Sequence, residues 1–240
     1  MAGLRAIICH HEGAVLEGQM AVPDAPGPHP AVMVMHNAYG LGPHMRDVAC
    51  RLAGEGYVAL ATDMYGGGVH HEDPKVAGSS IKLLWDNPDF LRSRVVAWYD
   101  LLKARAEVDA VRVAAIGYCF GGQCVLELAR SGADAKAVIS YHGLLTTARP
   151  AATGEVKGQV AIFTGAKDPY APHDHVDAFR GEMIAAGARW QITEFGEAYH
   201  AFTDPGCDRI AVSGVAYDPL ADKVSWAGTL ALLRAILMGD

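Results

Sequence analysis

The sequence predicts an α/β fold with a mostly parallel central sheet and helices on both faces, and three observations lead there. Short apolar runs of strand length recur at Ala31–Met35, Tyr57–Ala61, Val111–Ile116, Ala135–Ser140 and Val160–Phe163. Stretches with apolar residues at helical spacing lie between most of those runs, which is the alternation that buries a parallel sheet under two helix layers. With 51% hydrophobic residues and 27 glycines, the 240-residue chain has enough apolar side chain for a large core and enough glycine for many turns. Units of roughly 200–250 residues with this pattern commonly form one domain, so residues 1–240 are expected to be a single domain.

The opening stretch Ala6–Val22 alternates short apolar runs with Gly13 and Gly18 and reads as one or two strands of a hairpin, broken by Pro23–Pro30. Ala31–Met35 is continuously apolar, as a strand covered on both faces requires, and delivers His36, Asn37, Ala38 and Tyr39 to a loop at its end. From Pro43, the spacing of Met45, Val48, Ala49, Leu52 and Ala53 predicts a helix with Pro43 in its first turn and Gly54 and Gly56 at its exit. Tyr57–Ala61 is the next strand. Asp63–Gly68 is turn-rich, Asp73–Trp85 is partly helical, and Asn87-Pro88-Asp89 opens a stronger helix over Phe90–Arg105. Val111–Ile116 is a strand, Gly121–Arg130 a short helix, and Ala135–Ser140 and Val160–Phe163 repeat the strand pattern. His173–Ala186 reads as a helix, Trp190–Glu194 as a strand and Val224–Met238 as a terminal helix.

The charge balance, 20 Lys+Arg against 27 Asp+Glu, gives −7, and no local run of basic residues offsets it. A phosphate backbone would be repelled, which argues against nucleic acid as a partner. No apolar run approaches the ~20 residues of a membrane span, so no membrane partner is expected. The first residues run into His10, His11 and Glu12 without a signal-peptide core or cleavage pattern, and the five cysteines are odd in number and irregularly spaced. Reduced thiols and a cytoplasmic location are therefore expected.

The chemistry is concentrated at Gly117-Tyr118-Cys119-Phe120-Gly121-Gly122, between a strand and a helix. This is a cysteine version of the glycine-flanked nucleophile elbow, in which small flanking residues allow a sharp turn that exposes the nucleophile above the sheet. The helix that follows presents N–H groups favouring a thiolate at Cys119. Cys9, Cys50, Cys124 and Cys207 lack that context and read as packed core residues. An acid and a histidine follow in the order the elbow requires. Asp168 stands in a loop directly after the strand Val160–Phe163, and His200 stands beyond Trp190–Glu194, where an imidazole can come between Cys119 and Asp168. Tyr141 and His142 follow another strand and are expected to line the pocket together with Asn37 and Tyr39, a satisfied structural histidine being the equal alternative for His142.

These motifs resemble the dienelactone hydrolase family of the α/β-hydrolase superfamily. The resemblance runs through Val34-Met35-His36-Asn37-Ala38-Tyr39-Gly40-Leu41, Arg46-Asp47-Val48, Leu52-Ala53, Glu55-Gly56-Tyr57, Asp63-Met64-Tyr65-Gly66, Gly117–Gly122, Tyr141-His142-Gly143, Gly165-Ala166-Lys167-Asp168 and Tyr199-His200-Ala201-Phe202. It implies the α/β-hydrolase fold and a cysteine hydrolase of small ester or lactone substrates that needs no cofactor. It also implies a triad of Cys119, Asp168 and His200, with an oxyanion hole made by the backbone N–H groups of Phe120 and Ala38. Two positions depart from the pattern. Asn37 stands where the resemblance implies a glutamate, and an amide cannot accept the thiol proton. Asp204 stands where it implies an arginine that grips a substrate carboxylate, so a neutral substrate is expected instead.

Three histidine groups, His10-His11, His70-His71-Glu72-Asp73 and His173-x-His175, lack the spacing of a helical metal site and read as solvated loops, so no metal is expected. Two other functions fit the same fold: a ligand-binding protein that has lost turnover, for which Asn37 argues, and a redox-sensing thiol at Cys119. The elbow with its acid and histidine favours hydrolysis over both.

Overall fold

The structure is a computed structural model that describes residues 3–207 and 212–239. The chain opens with a hairpin of β1 (Arg5–His11) and β2 (Ala14–Ala21), turned tightly by Glu12 and Gly13, both at positive φ. There follow β3 (His29–Met35), α1 (Pro43–Gly54), β4 (Val58–Ala61), α2 (Pro74–Trp85), α3 (Pro88–Lys103) and β5 (Val108–Tyr118). The second half comprises α4 (Phe120–Arg130), β6 (Ala137–Tyr141), β7 (Gln159–Gly165), α5 (His173–Ala185), β8 (Arg189–Phe195) and α6 (Pro219–Leu233). The strands form an eight-stranded sheet in the order β1-β2-β4-β3-β5-β6-β7-β8. β2 runs antiparallel to β1 and β4, and every pairing from β4 across to β8 is parallel. This is the expected α/β-hydrolase architecture.

Strand side chains alternate between the two faces, and that parity sorts the core into two layers. Ala31, Met33 and Met35 of β3, with Val113 and Ala115 of β5, pack with Leu91, Val95 and Trp98 of α3, Cys124 and Leu128 of α4, and Phe179 of α5. Their neighbours Val32, Val34, Ala114 and Ile116 pack on the other face with Met45, Val48 and Leu52 of α1 and with Ala221 and Leu233 of α6. Continuous apolar runs were therefore the right signature for strands buried on both sides.

Helix starts follow local chemistry. Pro43 occupies the first turn of α1, Asp73 caps α2 by accepting from Lys75 N, and Asn87 caps α3 by accepting from Phe90 N at 3.2 Å. The last helix begins at Pro219, five residues before the Val224 expected from sequence. Asp218 caps it by accepting from Leu220 N and Ala221 N, and this Asp-Pro start was missed because the apolar spacing becomes regular only later. Its final turn, Arg234–Met238, widens to π geometry and ends at Gly239.

One buried ionic cluster ties α4 to α5. The fully buried Arg130 side chain donates to both oxygens of Glu182 at 2.8 Å, to Glu127 at 3.1 Å and to the Leu145 carbonyl at 2.9 Å. Arg92 of α3 satisfies the other oxygen of Glu127. Among the described residues, no helix is long and apolar enough to cross a membrane.

Candidate active site

Parallel strands present their carboxyl ends on one side of a sheet, and loops gathered there form the site. At the end of β3 lies the turn from His36 to Tyr39, and at the end of β5 lies Cys119. His142 follows β6, Asp168 follows β7, and His200 follows β8. Five sequence-distant loops thus converge because of topology.

Cys119 sits at the tip of the turn with φ 54° and ψ −115°, a left-handed conformation that a non-glycine residue adopts only when its surroundings enforce it. The enforcement is close packing on both sides. A Cβ on Gly117 would lie 2.0 Å from the Gly121 carbonyl oxygen, and one on Gly121 would lie 2.2 Å from the Met35 carbonyl oxygen. Glycine at these two positions is what lets β5 turn straight into α4.

The imidazole of His200 bridges the other two expected residues. Its Nδ1 lies 2.8 Å from Asp168 Oδ2, and its other side makes a hydrogen bond and a charge interaction with Cys119. Asp168 is itself fixed, accepting from Tyr170 N at 2.8 Å. The His200 backbone is tied to the segment after it, donating to the Gly214 carbonyl at 3.0 Å, while its own carbonyl accepts from Ala216 N at 3.1 Å.

These contacts set the protonation states. Burial pushes the Cys119 thiol up, but the His200 charge and hydrogen bonds from His200 and the backbone N–H groups of Phe120 and Ala38 outweigh it and bring the thiol below its ordinary value. Burial pulls His200 down, but the Cys119 and Asp168 charges with their hydrogen bonds raise it to about 10. Each partner thus favours the charged form of the other, thiolate beside imidazolium. Phe120 N–H and Ala38 N–H, expected to hold an oxyanion, both already point at the sulfur.

The Ala38 peptide is held from two directions. Asn37 Oδ1 accepts from Tyr39 N at 2.9 Å, which closes the turn, and the Tyr65 hydroxyl donates to the Ala38 carbonyl at 2.8 Å. Asn37 therefore uses its carbonyl to build the loop. Tyr65 was not singled out for the site from the sequence. Its Asp63-Met64-Tyr65-Gly66 stretch carries the signal: Asp63 is fully buried and accepts from the N–H groups of Glu17, Tyr65, Gly66 and Gly68, so it anchors the loop that aims the hydroxyl.

A cavity of about 300 Å³ opens over Cys119. Asn37, Ala38, Tyr39, Phe120, His142 and His200 line it, as expected. Tyr141 does not, and that expectation is corrected. It shares the parity of Ala137 and Ile139, so its ring points to the α6 layer, stacks on Tyr118 at 4.6 Å and donates its hydroxyl to Thr229. His142 is 2% exposed, with Nε2 2.8 Å from Thr203 Oγ1 and its ring 5.2 Å from that of His200. Burial first, and the neighbouring His200 and His44 second, push it well below the ordinary imidazole value, so it is neutral.

Asp204 lines the cavity, and among the described lining residues there is no lysine or arginine. Arg46 is not on that wall, and Arg209 lies outside the described residues. The histidine groups set aside as metal sites have other engagements: His11 with Ser93 at 3.0 Å, His71 with Ser80 at 3.1 Å, and His173 with Glu194 at 3.4 Å. Among the described residues, no group of three or more histidine, cysteine or acidic side chains is placed to hold a metal ion.

A doubly wound sheet with an antiparallel hairpin at one edge, a strained residue on a glycine-flanked turn and a carboxylate–imidazole pair beside it define an α/β-hydrolase. The comparisons narrow the class. The sequence profile described as "Dienelactone hydrolase family" matches residues 16–237, so the chain belongs to that family and is a hydrolase of ester or lactone bonds. Among solved structures, a dienelactone hydrolase-like promiscuous phosphotriesterase from metagenomic libraries is 34% identical with a TM-score of 0.93, covering 98% of this chain and 99% of that one. The structure named m3DLH is 36% identical with a TM-score of 0.92, covering 98% of each chain. Among curated proteins, a Bradyrhizobium protein named "Probable 2-oxo-3-(5-oxofuran-2-ylidene)propanoate lactonase" is 28% identical over 232 residues, which is 92% of this chain and 89% of that one.

Proposed function

We propose that the protein hydrolyses neutral carboxylic esters or lactones through a covalent thioester on Cys119. The observation that carries the reading is the His200 imidazole, held by Asp168 at 2.8 Å on one nitrogen and facing the depressed Cys119 thiol with the other side. The thiolate attacks the carbonyl carbon, and the electron pair moves to an oxyanion held by Phe120 N–H and Ala38 N–H. Collapse breaks the C–O bond, and His200 gives its proton to the departing alkoxide; in a lactone that alkoxide stays attached to the acyl group. His200, now neutral, takes a proton from water as the water attacks the thioester, and Cys119 leaves as thiolate. Asp168 fixes the imidazole tautomer and stabilises the imidazolium. No step calls for a cofactor.

Asp204, with no lysine or arginine among the described lining residues, supports a neutral substrate. The same feature favours neutral phosphotriesters as a second substrate class, in keeping with the activity named for the metagenomic relative.

Stopped-flow hydrolysis of p-nitrophenyl acetate, with intact-mass analysis of quenched protein, tests the reading. A burst of nitrophenol equal to the enzyme concentration and an acetyl adduct on Cys119 are expected. Steady turnover without an adduct, or an adduct that persists in Cys119→Ala, overturns it.

A further inference from the structure

A second cavity of about 410 Å³ lies beside the first, lined by Pro88, Leu91, Glu127 and Ala148 among others. The two cavities share two wall residues, Trp85 and Leu144. Trp85 is the last residue of α2, and its indole Nε1 donates to Gln123 Oε1 at 2.7 Å. Gln123 lies one turn after Cys119 on α4, and its amide donates in turn to the Thr146 carbonyl at 3.3 Å. An aromatic ring that lines both a reaction cavity and an adjoining space is thus tied by one hydrogen bond to the nucleophile's own helix, through a glutamine that is itself tied to the loop after β6.

We propose that Trp85, seconded by Leu144, is the specificity-determining partition that sets the longest substrate chain the enzyme accepts, and that the second cavity is the subsite for chains that pass it. This rests on the ester and lactone reading above. A cavity of 300 Å³ is at the small end of ligand sites, so the residues on its border with the second space bear on the length of chain it can hold. The second space has apolar walls in Pro88, Leu91 and Ala148 and polar ones in Gln123, Thr146 and Thr147, and its one carboxylate, Glu127, is paired with Arg92 and Arg130. It suits an uncharged chain rather than a charged group.

Trp85 is 41% exposed, so its truncation removes a partition without hollowing the core. The test measures kcat/KM for p-nitrophenyl alkanoates of two to ten carbons, and for alkyl acetates of the same lengths, with wild type, Trp85→Ala and Leu144→Ala. In wild type, one of the two series falls off beyond short chains. In Trp85→Ala, the octanoate-type to acetate-type ratio in that series rises about tenfold or more, as opening room for several methylenes requires, and Leu144→Ala moves it in the same direction. A parallel readout that needs no turnover is the alkylation rate of Cys119 by bromomethyl ketones of increasing alkyl length, followed by intact mass with Cys119→Ala as blank. A chain-length shift in labelling without ester turnover sustains the partition and sinks the esterase reading. Unchanged length profiles for both folded variants, in turnover and in labelling, overturn the partition.

Discussion

The Tyr65 hydroxyl donates to the Ala38 carbonyl at 2.8 Å, and the N–H of Ala38 points at the Cys119 sulfur. A residue from the loop after β4 thereby holds the Ala38–Tyr39 peptide, the neighbour of the peptide unit whose N–H faces Cys119 at the end of β5. Removing one oxyanion donor outright costs about 10²–10³ in kcat, and loosening its support costs less. Tyr65→Phe should therefore lower kcat about tenfold with KM changed less than threefold. A KM effect alone would assign Tyr65 to substrate binding instead.

Cys119→Ala and His200→Ala should each lower kcat/KM about 10⁴-fold or more, and the double variant should be no worse than either. In the proposed mechanism nucleophile and base act in one step, so their losses do not add. Asp168→Asn should cost about 10³–10⁴-fold, because its amide no longer fixes the His200 tautomer. Wild-type rates in Asp168→Asn, measured with a neutral ester, would move the acid elsewhere.

The thiolate–imidazolium pair makes a signed prediction for pH. The His200 charge favours the ionised form of the neighbouring thiol, so iodoacetamide alkylation of Cys119 should have its midpoint below the ~8.5 of a free cysteine. In His200→Ala the raising effect of burial is opposed only by the backbone N–H groups of Phe120 and Ala38, and the midpoint should rise. Asn37→Glu puts a carboxylate beside the thiolate and should raise the midpoint by about one unit, while also removing the amide that closes the turn at Tyr39. Identical profiles for all three proteins would end this account of activation.

Substrate charge should matter in a definite direction. With Asp204 on the wall, neutral esters or lactones should exceed anionic dienelactones in kcat/KM, and Asp204→Asn should raise the anionic value about 5- to 10-fold at low ionic strength but less at high salt. An anionic substrate preferred by wild type would require a cation such as Arg209 to supply the grip.

Arg130→Ala leaves Glu182 and Glu127 buried against α4 and α5 without their shared partner, and should cost about 3–5 kcal/mol in urea denaturation. Burial pushes the Glu182 carboxyl up, but Arg130 outweighs it and holds the carboxyl below its usual range. That contribution is complete above the unfolded value of ~4.3 and is lost as pH falls through the depressed folded value. In Arg130→Ala burial is opposed only by the Ala151 N–H and the Arg92 charge, so the acid loss of stability should begin at higher pH than in wild type. Coincident acid profiles would contradict the coupling.

Much of this protein is legible in its sequence because the signals are local. Apolar runs mark strands buried on both faces, Pro and Asp mark helix starts, and the glycines flanking Cys119 mark a turn whose steric demand is visible in the sequence itself. Chain direction through a parallel sheet brings the loops after β5, β7 and β8 to one edge, so the meeting of Asp168 and His200 beside Cys119 could be expected from position alone. The same reasoning failed at Tyr141, because which face a strand residue takes depends on the register that assigns Ala137, Ile139 and Tyr141 to the α6 layer, and at Val224, because the Asp218 cap precedes the regular apolar spacing. Register across β5, β6 and β7 is a tertiary property, fixed by burying both faces of the sheet at once. The roles of Tyr65 and Trp85 belong to the same category: each acts through a hydrogen bond to a residue 27 or 38 positions away, and no local pattern encodes a contact whose partner is chosen by packing.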